Sequence, residues 1–293
     1  MSESTSTLAL PTAVLPARRT LSLSAHRLVP AGLILIALTY FTVILLLPLV
    51  TVMMEAFSKG LAFYTESLLE AEALEAMQLT LLMAVLVVPL NAAFGIAAAW
   101  CLGKFSFPGR SLLMTLIDLP LSVSPVVAGL VFVLLFGAQS ALGPWLIDHD
   151  IRIIFALPGI WLSSLFVTLP YVAREVLPLL EAQGHEQEES SVMLGASGWQ
   201  TFRYISLPQM KWALIHGVIL CNARVMGEFG AVSVVSGHIR GETNTLPLLV
   251  EILYNEYQFT AAFAAASVLA VLALVTLVIK RIAVKRSAIV SEH

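Results

Sequence analysis

The sequence predicts an all-α integral membrane protein with six transmembrane helices, and three observations carry that prediction. The chain is 58% hydrophobic and 12% charged, about half the charge of a soluble domain, and a soluble fold this apolar would expose patches it could not cover. Its mean hydropathy is +0.89. Six segments meet or nearly meet the length of about 20 apolar residues that a bilayer-crossing helix needs. Finally, Lys and Arg gather on one side of those segments, as the positive-inside bias requires.

The first segment covers residues 30–57. Residues 1–29 before it are rich in Ser, Thr and Pro and read as a flexible cytoplasmic tail. They do not read as a secretory signal, because their basic residues follow the modest apolar run instead of preceding it. The second segment covers 77–102, the third 112–136, the fourth 153–177, the fifth 212–235 and the sixth 259–279. Together they make a membrane domain over 30–281, followed by a cytoplasmic C-terminal tail over 282–293. With the N-terminus inside, twelve of the sixteen basic residues fall on the cytoplasmic side. Only Lys59, Arg152 and Arg240 fall outside, and Arg224 lies within the fifth segment. Both termini are then cytoplasmic.

Prolines interrupt the segments. The third holds Pro120 and Pro125 beside Asp118, and the fourth holds Pro158 and Pro170. Proline removes a backbone donor and kinks a helix. In lipid, the freed carbonyls need neighbouring helices or water. Such helices suit a bundle around a pathway; packing shape alone is the other reading.

One polar stretch, residues 181–208, separates segments four and five on the cytoplasmic side. Residues 181–194 read as a short helix that Gly195 can terminate in a left-handed turn. Ser197, three residues before Gln200, fits a capping box for a second helix. Trp199, Phe202 and Ile205 recur every third residue and form an apolar stripe on it. Leu207-Pro208 ends that helix, and Pro208 can open the next. A helix pair this short needs a partner surface, either the rest of the chain or another subunit.

The spacing in this stretch resembles the "EAA" loop of permeases from ATP-binding-cassette (ABC) importers. Glu189-Ser190-Ser191 is followed by three residues, Gly195, nine residues, Ile205, one residue and Leu207-Pro208. The departure is Ser-Ser where that family has Ala-Ala, and both are small. The resemblance implies a MetI-like importer-permease fold. It also implies coupling helices, built from the residues just named with Trp199 and Phe202, that dock on a dimer of ATPase subunits.

The fifth segment carries Arg224 and Glu228, four apart and so on one helix face. An ionisable group at that depth is costly and usually faces a bundle interior or a water-filled cavity. Two readings stand: a cationic site on an anion pathway, or an internal pair that fixes helix packing. Further along come Glu228-Phe229-Gly230-Ala231, Gly237-His238-Ile239-Arg240-Gly241 and Thr245-Leu246-Pro247, and the third segment has Ser124-Pro125-Val126-Val127-Ala128-Gly129. These elements are similar to those of the sulfate, thiosulfate and molybdate permeases, with Ser124 replacing a proline. The similarity implies inner-membrane import of a sulfate-like oxyanion, with Ser124, Pro125, Arg224 and Glu228 as candidate pathway residues. It implies three kinds of partner: the ATPase dimer, a second, CysT-type permease and a periplasmic sulfate- or thiosulfate-binding protein. His238, Arg240, Thr243 and Asn244, in the outer loop, are candidate contacts for that binding protein; an ordinary solvated loop is the other reading.

Other classes lack their signatures. No phosphate-binding G-x-x-x-x-G-K-[ST] occurs, so ATP belongs to a partner and no cofactor is expected on this chain. The histidines are scattered, without metal-ligand spacing. Basic residues sit at membrane edges, which argues against nucleic-acid binding. An ion-coupled transporter or channel would need intramembrane acids, and only Asp118 and Glu228 qualify. A membrane-embedded enzyme would need a nucleophile–base or metal motif, and neither is present.

Overall fold

The computed structural model describes the backbone of residues 25–291 and the side chains of residues 30–281. Among these residues every regular element is helical. The described residues divide into two compact units that part between Val50 and Thr51. In the first, α1 (Ala25–Phe41) passes through a π-helical segment (Thr42–Leu46) into the start of α2 (Leu47–Ala56). The second unit continues with α3 (Leu61–Leu69), α4 (Ala71–Lys104), α5 (Arg110–Ser122), α6 (Pro125–Phe136), α7 (Gly143–Asp148), α8 (Leu157–Thr168) and α9 (Pro170–Gln183). Then come α10 (Glu186–Met193), α11 (Gly198–Thr201), a second π-helical segment (Phe202–Ser206), α12 (Leu207–Met226), α13 (Gly230–Val235), α14 (Leu246–Asn255) and α15 (Phe259–Ser291).

Among the described residues, four helical stretches are long and apolar enough to cross a membrane: Pro30–Ala56, Ala71–Lys104, Leu157–Gln183 and Phe259–Arg281. Helices α5 and α6 make a fifth if they count as one span, although they are bent by 107°. The expectation of six spans is thus met by length and composition only to four or five. The difference lies in the third and fifth segments. In the third, Val123 and Ser124 adopt extended backbone before Pro125, because the ring of a proline pushes its predecessor out of the helical region. In the fifth, Gly227-Glu228-Phe229 separates α12 from α13. The 20 residues of α12 extend about 30 Å, enough for a bilayer core. Lys211, His216, Asn222 and Arg224 make it more polar than the other long helices.

Helices α4, α9 and α12 pack on one another. Their shared core includes Val87, Val172, Val176, Leu180, Met210 and Cys221. Gly95 lets α4 and α9 approach closely: a Cβ there would lie 2.6 Å from Val172 Cβ and 2.9 Å from the Ala173 backbone nitrogen. Small residues serve the same end where α14 and α15 meet the start of α4, with Ala73, Ala76, Ala262 and Ala265 in contact with Leu246 and Leu249. Short α13 packs against α6 and α8. A Cβ on Gly129 would lie 2.7 Å from the Ala231 carbonyl oxygen, and one on Gly230 would lie 2.9 Å from Pro125 Cβ. The two interrupted segments therefore meet at their interruptions.

Backbone helix α15 runs to Ser291, so the last helix continues through residues 282–291. Of the N-terminal tail, residues 25–29 belong to α1 and residues 1–24 lie outside the described residues.

Candidate functional sites: a two-helix loop and a junction of broken helices

The loop folds as two helices about Gly195. Glu186, Glu188 and Glu189 occupy the first turn of α10, where negative charge complements the helix N-terminus. The helix ends in a Schellman motif: Gly195 N–H donates to Val192 O at 2.9 Å and Ala196 N–H to Ser191 O at 3.0 Å. That turn requires the φ of +90° found at Gly195. The expected capping box forms, with Gln200 N–H donating to Ser197 Oγ and Ser197 N–H donating to Gln200 Oε1 at 2.7 Å.

The second helix does not stop at Leu207-Pro208, contrary to the sequence reading. It passes through the π-helical segment directly into α12. Pro208 has no N–H to give, and the widened turn just before it absorbs that missing bond. Pro48 shows the same arrangement, following the π-helical segment Thr42–Leu46 by two residues.

Trp199 and Phe202 share a face, their rings stacked at 5.6 Å between centroids. Trp199 is exposed, and half-buried Phe202 also meets the Trp100 ring edge-on at 5.2 Å; Ile205 is half-buried. A further apolar surface sits at the turn, where Met193 is 88% and Leu194 89% exposed. Sequence reasoning treated these two residues only as the end of a helix. Glu189 and Ser190 are exposed, with the Ser190 hydroxyl donating back to Glu186 O at 2.7 Å. Ser191 is buried and its hydroxyl lies 2.8 Å from Thr201 Oγ1, so it ties the two helices together from inside. The departure from two small apolar residues thus falls once on solvent and once on an internal hydrogen bond.

Glu188 was not foreseen either. One carboxylate oxygen, Oε1, lies 2.9 Å from Lys104 Nζ at the end of α4 and accepts from Ser206 Oγ at 3.1 Å at the entry to α12. The Lys104 side chain is 5% exposed and also donates to the Gly184 carbonyl. Burial is the largest single influence on Glu188 and would raise its pKa. The Lys104 hydrogen bond, the residue's own backbone N–H, the Lys104 charge and Ser206 outweigh it and hold the pKa below the usual glutamate value. Lys104 stood out in the sequence only as one more basic residue at a membrane edge.

At the junction of the broken helices, Arg224 Nη2 lies 2.9 Å from Glu228 Oε2, and the Glu228 side chain is 1% exposed. Glu228 Oε1 accepts from the Ala231 N–H at 3.0 Å, which caps the start of α13. The Arg224 side chain is 32% exposed. Ser124 is exposed at the head of α6, and Pro125 faces Gly230. The α6–α13 contact thus brings Pro125 beside the break that Glu228 caps. Two further pairs link neighbouring helices, Arg174–Asp118 at 3.6 Å and His216–Glu175 at 2.8 Å. Their partners lie 56 and 41 positions apart in the chain (174 − 118 and 216 − 175), so no local pattern announces them.

In the loop after α13, Arg240 Nη1 donates to both oxygens of Glu72 at 3.0 Å, and Nη2 contacts Glu256. The Glu72 bond, then the Glu256 bond, raise its pKa further above the usual arginine value. His238 Nε2 lies 3.3 Å from Glu251 Oε2. Thr243 and Asn244 are buried, and the Thr243 hydroxyl donates to Ser236 O at 2.7 Å. Of the four residues singled out in this loop, His238 and Arg240 face outward, while Thr243 and Asn244 are buried and Thr243 ties the loop to Ser236.

Membrane-length helices, two interrupted segments meeting at a capped acid–arginine pair, and an apolar-tipped loop between α9 and α12 define a polytopic membrane protein of the transport class. The family described as "binding-protein-dependent transport system inner membrane component" matches residues 92–288, and the chain belongs to that family. As an inner-membrane component of such a system it is a permease subunit and not an enzyme. The chain is 52% identical over 255 residues (87% of this chain, 92% of the relative) to the "Sulfate transport system permease protein CysW" of Synechocystis sp.. It is 49% identical over 237 residues to the protein of that name from Escherichia coli K12, covering 81% of each. With the E. coli K12 "Sulfate transport system permease protein CysT" it shares 36% identity over 250 residues, covering 85% of this chain and 90% of the relative. A crystal structure of a bacterial ABC transporter that imports the acidic polysaccharide alginate contains a chain of the same fold, at TM-score 0.75 and 18% identity, covering 90% of this chain and 96% of that one.

Proposed function

We propose that this chain is a permease subunit of an ATP-driven importer of sulfate or thiosulfate across the bacterial inner membrane. The observation that carries the substrate class is the 52% identity, over most of both chains, to a permease named for sulfate transport. In the importer this subunit pairs with a CysT-type permease, two ATPase copies and a periplasmic sulfate- or thiosulfate-binding protein. Similarity to both CysW and CysT proteins supports the permease pair. One neighbour in fold was crystallised with a substrate-bound periplasmic protein, which supports that partner class. The ATPase partner is supported by the loop, whose turn presents Met193 and Leu194 to solvent.

In this reading the chain crosses the membrane six times, α5–α6 and α12–α13 forming the two interrupted spans, with both termini cytoplasmic. The distribution of Lys and Arg supports that orientation. The chain binds no cofactor, and ATP is held by the partner. Closure of the ATPase dimer on ATP moves α10 and α11, and the bundle opens outward to receive the anion from the docked binding protein. Hydrolysis returns it inward. Each step needs contacts that differ between the two states. Arg224, partly exposed beside its buried Glu228 partner, supplies positive charge for the anion. The test is reconstitution of the four components in liposomes, with uptake of sulfate, thiosulfate and molybdate followed in parallel. Import of molybdate in preference to both sulfur oxyanions would reassign the substrate.

A further inference from the structure

Helix α10 is held by its backbone at two permissive points. Gly184 precedes it with φ +65° and Gly195 follows it with φ +90°. The Schellman turn and the Ser191–Thr201 hydroxyl contact join α10 to α11, and Gln187 meets Gln209 of α12. The charged link from α10 to the end of α4 is the carboxylate of Glu188. That group reaches Lys104 at the end of α4 at 2.9 Å and receives the hydroxyl of Ser206, at the entry to α12, at 3.1 Å. Lys104 is 5% exposed, so water competes poorly for the pair. Its ammonium also binds the Gly184 carbonyl, clamping the first hinge. Arg110 adds a second tie at the same corner, its Nε donating to Leu102 O at 2.8 Å and its Nη2 meeting Glu181 at 2.6 Å. Helix α4 packs in turn on α8, α9, α12 and α14, so whatever moves its end moves the core.

We propose that the Lys104–Glu188 pair is a strut that transmits displacement of α10 to α4 and α12, making these two residues positioning residues for coupling transport to ATP hydrolysis. The proposal rests on the reading that α10 and α11 dock on an ATPase. Without the strut, a push on α10 would lose its charged link to the end of α4, and hydrolysis would proceed with less movement of the bundle. A coupling free energy carried by one such link corresponds to roughly a 5- to 150-fold effect.

The test uses the complete reconstituted complex and reads anion imported per ATP hydrolysed, per assembled complex. Wild-type complex must first show ATP-driven uptake; if it shows none, the docking reading fails and the strut is not at issue. With uptake established, Lys104→Met and Glu188→Gln are each expected to lower the ratio about fivefold or more. Because both remove the same link, the double variant is expected to be no worse than the poorer single one. Lys104→Arg, which keeps the charge, is expected to recover most of the ratio. The proposal is overturned if the single variants keep the wild-type ratio, or if the double variant's loss is the product of two independent losses. It is also overturned if the variants lower only the amount of assembled complex, which would make the pair a folding contact.

Discussion

Replacing Met193 and Leu194 by alanine tests whether the turn of the loop is a docking surface. Both side chains stand almost wholly in solvent, 88% and 89% exposed, so truncating them removes little that the subunit itself uses. Surface changes of this kind alter stability by about 0.5 kcal/mol or less. Docking that buries them recovers about 1.5–3 kcal/mol for each fully buried side chain. Since every 1.4 kcal/mol is tenfold in affinity, losing the equivalent of one such burial weakens the ATPase interaction about 10-fold or more. The assay is a titration of labelled ATPase subunit against the permease pair in nanodiscs. Val85→Ala serves as control, because Val85 is an exposed apolar residue on α4 remote from the loop in the chain. An M193A/L194A variant that binds the ATPase as tightly as wild type, while Val85→Ala does the same, would refute the docking surface.

Gly195→Ala meets no atom within 4 Å but must hold φ +90°; the strain is about 1–2 kcal/mol, and uptake should fall about 5- to 30-fold with little change in the bundle's thermal midpoint. Gly95→Ala should behave oppositely. Its Cβ would meet Val172 and the Ala173 backbone nitrogen below 3 Å, an overpacking of about 1–3 kcal/mol, visible as a lower midpoint in thermal unfolding beside an unchanged Gly198→Ala control, which has open space. Arg224→Ala leaves the buried Glu228 carboxylate without its counter-charge, a loss of about 3–5 kcal/mol. The double variant R224A/E228Q removes that charge as well. If Arg224 serves the anion, the double variant assembles but transports nothing; if the pair only fixes packing, uptake returns.

The parts of this protein legible in its sequence are those set by local rules. The Schellman turn at Gly195 and the Ser197–Gln200 capping box follow from residue types a few positions apart, and both formed as read. The long helices follow from apolar runs. The breaks in the third and fifth segments were harder, because Val123-Ser124 and Gly227-Glu228-Phe229 are short interruptions in runs that stay apolar on either side. Proline pointed to the first only as a kink, and the second depends on Glu228 capping α13 from within a buried site. The Trp199–Phe202 stack was legible as an i, i+3 pair, whereas the contact of Phe202 with Trp100 depends on the fold carrying α4 beside the loop. Spacing singled out Glu189 and passed over Glu188; only the fold, by carrying the end of α4 to it, selects Glu188. Thr243 and Asn244 read as candidate outward contacts or as part of a solvated loop; both are buried, and the Thr243 hydroxyl donates to the Ser236 carbonyl within the loop.

The central claim, that an ATPase drives an oxyanion through a bundle to which this chain contributes, is tested most directly by one measurement. Proteoliposomes carrying this chain with its permease partner and ATPase are supplied with radiolabelled sulfate and the binding protein, with and without ATP on the loop side. Sulfate accumulation that requires ATP, requires the binding protein and disappears with M193A/L194A is the result expected. Sulfate uptake that proceeds equally without ATP, or that follows an ion gradient instead, would contradict it.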